Sequence, residues 1–202
     1  HKLYEGIELY NLDRAKAAAL TSEVVYVPCH RSHIDYLLLS YVLYHNGLTP
    51  PHIAAGVNLN LPLVGSLLRR GGAFFMRRTF KEDLLYKAVF DEYLHLMLSK
   101  GHSIEYFIEG GRSRTGSMLN PRIGMISMTL NGYYKDNTKE LTFMPVYFSY
   151  EKVMEINSYI GELAGRKKSK ETLGGLLTTL KLLKQDFGQV AVSFGEPLNL
   201  RA

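Results

Sequence analysis

Short runs of apolar, β-branched and aromatic residues alternate along this chain with longer stretches whose apolar positions recur every three or four residues. The short runs read as strands at residues 23–28, His52–Gly56, residues 72–76, 103–108 and 141–148, and Gln189–Phe194. The longer ones read as helices at 13–20, 33–46, 62–69, 80–99, 124–132 and 173–186. In the fourth helix, Leu84, Leu85, Ala88, Val89, Leu96 and Met97 make an apolar stripe, and Thr79 followed by Glu82 forms a capping-box pattern. Gly47 and Gly101 stand where helices should stop. Strands alternating with helices predict an α/β domain with a mixed, largely parallel sheet flanked by helices.

With 202 residues the chain can bury one full core, and without internal repeats it reads as a single domain over 1–202. It begins with His1, without a signal peptide, and reads as a segment of something longer. A lone cysteine, Cys29, excludes an internal disulfide framework. No apolar run reaches the roughly 18–20 residues that a bilayer-spanning helix needs. The net charge of +5 favours anionic partners. The basic stretch at 161–171 reads as an exposed mobile loop.

Candidate chemistry gathers where strands end, as in open α/β sheets generally. The strand at 23–28 empties into Cys29-His30-Arg31-Ser32-His33-Ile34-Asp35. Five helical steps turn roughly 500°, so groups at i and i+5 of one helix point about 140° apart. His30 and Asp35 can meet only if His30 lies in the loop and Asp35 in the first helical turns. The carboxylate could then accept the Nδ1–H of His30 and leave Nε2 as a base. From spacing alone, a loop histidine beside a helix-start carboxylate remains equally open.

Three further strand ends carry polar or conformationally special residues. Gly71 to Met76 runs into Arg77 and Arg78, and Phe107-Ile108 into Glu109-Gly110-Gly111-Arg112-Ser113-Arg114. The third is Met144-Pro145-Val146-Tyr147. Arginine forks and approachable glycine amides suit a phosphate, and Glu109 could orient an arginine or hold a substrate hydroxyl. Other chemistries fit less well. His30 and His33 lack further ligands at a metal-binding spacing, so no metal is expected. Gly111 to Gly116 lacks the lysine of a nucleotide-binding loop, and no serine-hydrolase elbow exists. Adjacent residues leaving a strand face opposite ways, which disfavours Cys29 as a nucleophile served by His30. Aromatics are not interleaved with bases as nucleic-acid stacking requires, so no nucleic acid is expected.

Taken in order, these four blocks resemble the glycerophosphate acyltransferase superfamily, in the manner of its membrane-bound bacterial glycerol-3-phosphate acyltransferases. Cys29 replaces the asparagine typical of lysophosphatidate acyltransferases at that position, which argues against that branch. The resemblance implies that His30, oriented by Asp35, deprotonates the sn-1 hydroxyl of glycerol 3-phosphate for attack on an acyl thioester, giving lysophosphatidate. Acyl-CoA or acyl-carrier protein would be the co-substrate, with no other cofactor. Arg77, Arg78, Glu109, Gly110, Arg112, Arg114 and Arg31 would bind the acceptor, and Pro145 would lie in the donor-associated block. A peripheral position on the cytoplasmic face of the inner membrane follows as an expectation, with apolar faces around 59–68 as the contact. Dihydroxyacetone phosphate is the alternative acceptor, and a non-catalytic anion- or lipid-binding module the alternative class.

Overall fold

A computed structural model describes residues 4–62, 64–77, 79–80, 83–135, 139–164 and 187–200. Elements follow in the order β1 (Gly6–Tyr10), α1 (Leu12–Thr21), β2 (Ser22–Pro28), α2 (Asp35–His45), β3 (His52–Gly56), α3 (Val64–Arg70), β4 (Ala73–Met76) and α4 (Leu84–Ser99). Then come β5 (Ile104–Glu105), α5 (Gly124–Tyr133), β6 (Glu140–Tyr150), α6 (Ile156–Leu163), β7 (Gln189–Phe194) and β8 (Leu198–Asn199). Among the described residues they form one sheet in the order β1-β7-β6-β2-β5-β3-β4, with β8 also on β6. Among these described strands only the β6–β7 and β6–β8 pairings are antiparallel. The expected largely parallel sheet with flanking helices is therefore present.

Alternation along the central strands sorts their side chains into two cores. Val24, Tyr26, Met144, Val146 and Phe148 pack with Leu38, Leu39, Val42 and Leu43 of α2 and with Ala15 and Ala18 of α1. Val25, Ile104 and Leu141 pack on the other face with Phe90, Leu94, Met97 and Leu98 of α4 and with Met128 and Tyr133 of α5. β2, between β6 and β5, is buried on both faces, as strands covered by helices must be. Its C-terminal end delivers the chain to His30.

Several expectations change. α4 buries Phe90, Leu94, Met97 and Leu98, whereas Leu84, Leu85, Val89 and Leu96 of the expected core stripe face outward. Periodicity could not choose, because both faces of this helix are apolar. The helix begins later than expected, capped by Asp83, whose carboxylate accepts the Tyr86 N–H at 2.8 Å. Glu82 lies outside the described residues, as does the helix expected at 173–186. β5 pairs over only two residues, because after Tyr106 the chain turns away from the sheet toward Gly110. β1, α6 and β8 were not foreseen. Gly161 and Leu163, assigned above to a mobile loop, belong to α6, and 165–186 lies outside the described residues.

Candidate active site

His30 leaves β2 in an irregular segment, and Asp35 is the first residue of α2. The Nδ1 of His30 lies 2.9 Å from Oδ2 of Asp35. That same oxygen accepts the backbone N–H groups of Arg31 at 2.6 Å and Ser32 at 2.9 Å. Oδ1 accepts the hydroxyl of Tyr150, at the end of β6, at 2.5 Å. Burial, followed by the charge of Asp35, drives the Tyr150 phenol far above its usual acidity range, so it remains a donor. Asp35 is fully buried and is an acceptor to every neighbour named here, so Nδ1 must carry the proton that faces it. Nε2 is thereby left as the basic nitrogen. The carboxylate thus braces the loop and orients the imidazole at once.

The His30 ring stacks on Phe107, with centroids 3.8 Å apart and planes 16° from parallel. Its main chain is held by the third block. Glu109 Oε1 accepts the His30 N–H at 2.8 Å, and the His30 carbonyl accepts the Ser113 N–H at 2.8 Å. Glu109 is only 3% exposed, and its Oε2 accepts the Leu119 N–H at 2.8 Å. Both carboxylate oxygens thus brace backbone. Gly110 sits at φ +64°, a left-handed conformation that favours glycine, while the neighbour a Cβ would meet is only the flexible, exposed Arg122 side chain.

Arg31 is buried, donates to the Ser117 carbonyl at 2.9 Å and lies 5.6 Å from the Tyr147 ring centroid. Arg112 donates to Tyr159 Oη at 3.0 Å and approaches Glu155 Oε1 at 3.4 Å. Arg114 pairs with Glu162. Of the predicted residues, the structure thus gathers His30, Arg31, Asp35, Glu109, Gly110, Arg112 and Arg114 around one loop cluster. Arg77 is on the same edge of the sheet but three strands away, its guanidinium 2.8 Å from Asp83 and 4.4 Å from the Tyr86 ring centroid. Arg78 lies outside the described residues. Pro145 pairs with Val27, three positions before His30.

Cys29 and Ser32, the nucleophile types nearest His30 in the chain, are both engaged elsewhere. Burial pushes the Cys29 thiol up to about 11, and its sulfur accepts the Phe148 N–H at 3.2 Å. Ser32 is fully buried and donates its hydroxyl to Glu155 at 2.8 Å. No cluster of metal-ligand type occurs among the described residues. Sequence reasoning missed Tyr150, Glu155 and Tyr159, which reach the motif from more than a hundred residues away.

A strand-end loop that pairs a histidine with a buried carboxylate among arginines is the arrangement a general-base transferase would use, and it stands as the candidate active site. A family model described as Acyltransferase matches residues 6–149, and one described as Glycerol-3-phosphate acyltransferase C-terminal region matches 159–202. The chain belongs to the acyltransferase family. It is 59% identical over 200 residues to the glycerol-3-phosphate acyltransferase of Pseudomonas aeruginosa PAO1, and 58% identical to that of Pseudomonas fluorescens SBW25. Each match covers 99% of this chain and 24% of the relative, so the chain spans about a quarter of those proteins. The fold resembles the crystal structure of the 1-acyl-sn-glycerophosphate acyltransferase from Thermotoga maritima, with a TM-score of 0.57 at 14% identity. That likeness covers 97% of this chain and 62% of the other.

Proposed function

We propose that this domain transfers a fatty acyl group from acyl-CoA or acyl-carrier protein to the sn-1 hydroxyl of glycerol 3-phosphate, yielding lysophosphatidate. The observation that carries the reading is the 2.9 Å contact between His30 Nδ1 and an Asp35 carboxylate already fixed by two amides and a phenol. His30 Nε2 takes the hydroxyl proton as the acceptor oxygen attacks the thioester carbonyl. Collapse of the tetrahedral oxyanion breaks the C–S bond, and the departing thiolate takes the proton back from the imidazolium. No acyl-enzyme forms, in keeping with the buried, neutral Cys29 thiol. A positioned base contributes ~10²–10⁴-fold, and orientation of the acceptor by its phosphate supplies much of the remainder. Arg112, Arg114 and Arg31 are the cations gathered near His30, and Arg77 extends the same strand edge.

The names of the 59%-identical relatives favour glycerol 3-phosphate over dihydroxyacetone phosphate. A peripheral position on the cytoplasmic face of the inner membrane accords with the outward apolar faces and the net charge of +5. The test is turnover in the intact protein. His30→Ala should lose at least a hundredfold in kcat while glycerol 3-phosphate binding is largely kept. Unchanged turnover would remove His30 from the chemistry, and a strong preference for the ketone acceptor would replace the substrate.

A further inference from the structure

Glu155 belongs to none of the four blocks, yet it touches two of them. Its Oε2 accepts the Ser32 hydroxyl at 2.8 Å and its Oε1 accepts the His33 N–H at 2.8 Å, both within the loop that joins His30 to Asp35. The same Oε1 lies 3.4 Å from Arg112 Nη1, and these two side chains are only 12% and 13% exposed. The adjoining α6 adds Tyr159, whose hydroxyl donates to the Arg31 carbonyl at 3.0 Å and accepts from Arg112 at 3.0 Å. One carboxylate therefore holds the dyad loop and partly neutralises an arginine assigned to the acceptor's phosphate. Its field extends further. After burial itself, the charge of Glu155 is the next cause lifting the Tyr159 phenol to about 12 and raising that of Tyr4.

We propose that Glu155 is a positioning residue that fixes the dyad loop and sets acceptor affinity by competing with the substrate's phosphate for Arg112. The proposal rests on the phosphate-binding reading of Arg112. A phosphate approaching Arg112 meets a carboxylate already there, and like charges in a partly desolvated pocket repel. The enzyme thus trades tight acceptor binding for a loop held in working geometry. Uniformly tight ground-state binding would not raise turnover, so the arrangement has a catalytic logic. Arg114 faces a parallel situation with Glu162, farther along α6.

The two duties separate by substitution. In Glu155→Gln the amide oxygen can still accept the His33 N–H, and the amide nitrogen can donate to Ser32 Oγ, so the loop keeps its partners while the charge disappears. Glu155→Ala removes both. A part-buried ion pair of this length corresponds to a few-fold in affinity. In the intact protein, Glu155→Gln should lower KM for glycerol 3-phosphate, and the inhibition constant for inorganic phosphate, by about threefold, with kcat within about twofold of wild type. Glu155→Ala should lower kcat by about tenfold or more, and thermal unfolding of each variant identifies any loss of fold. Arg112→Ala is the control for the underlying reading and should raise both constants. If Arg112→Ala raises them while Glu155→Gln leaves them unchanged or raised, the competition is refuted and the phosphate site stands. If Arg112→Ala changes neither, the phosphate assignment itself fails. Full kcat in Glu155→Ala would refute the loop-fixing role.

Discussion

Two carboxyl groups in this fold show how environment decides what the same chemistry does. Asp35 is fully buried but receives three N–H groups and a phenol, so its negative charge is met from every side. Glu105, on β5 beside Tyr26, is also fully buried, yet neither oxygen has a hydrogen-bond partner among the described residues. Burial, and then the charge of Asp35, holds its carboxyl well above the usual carboxylate range. The folded protein therefore keeps this proton while the unfolded chain releases it above its ordinary value of 4.5. Because the native state then binds more protons, Glu105 costs stability as pH rises past that value, by up to ~1.4 kcal/mol per pH unit. Glu105→Gln cannot ionise and escapes this cost. Its urea-unfolding free energy should gain on wild type progressively from pH 4 to pH 8. A difference independent of pH would show that Glu105 ionises as readily folded as unfolded.

At the scale of elements, helix contacts divide into those that fix the core and those that serve the site. α4 and α5 cross at Gly132, where a Cβ would lie 3.1 Å from the backbone nitrogen of His95, and the His95 ring meets the Gly132 carbonyl at 2.9 Å. Alanine would gain about 1 kcal/mol of helix propensity, but forcing a methyl against backbone costs about 1–3 kcal/mol. The second effect should win, so Gly132→Ala should lower the melting temperature by a few degrees, and a rise would mean the crossing has room. α6 works differently. It turns Tyr159, Glu162 and the preceding Glu155 toward the arginines and leaves Ile156, Ile160 and Leu163 outside, inverting the usual amphipathic rule. This explains what the sequence could and could not convey. The fold class and the His30–Asp35 contact were legible because strand patterning and a five-residue spacing are local. The partners supplied by Tyr150 and Glu155 were not, since no local period encodes contacts across 115 and 123 positions. The buried side of α4 was illegible for another reason, an apolar surplus on both its faces.

For the molecule as a whole, that surplus is the feature still seeking a partner. Leu85, Val89 and Leu96 on α4, exposed at 76%, 59% and 47%, share one outward face at roughly helical spacing, and Ile156, Ile160 and Leu163 repeat the pattern on α6. Within 59–68, the segment expected to meet lipid, Leu67 is exposed as well. Single exposed apolar residues need no explanation, but rows of them on a protein of net charge +5 do. Among the described residues no helix is long and apolar enough to cross a bilayer, and the contact these rows offer is interfacial. Anionic headgroups would then attract the basic surface over a distance of about one Debye length, and the apolar rows would supply the part of the binding that salt does not screen. Vesicles rich in phosphatidylglycerol should accordingly retain the protein better than phosphatidylcholine vesicles, and added salt should narrow that difference. Leu85→Ser with Val89→Ser should weaken binding to both kinds of vesicle without lowering the melting temperature, because neither side chain contributes to the α4 core. Retention that ignores lipid charge, or a double substitution without effect on either vesicle, would reserve the α4 face for a protein contact instead.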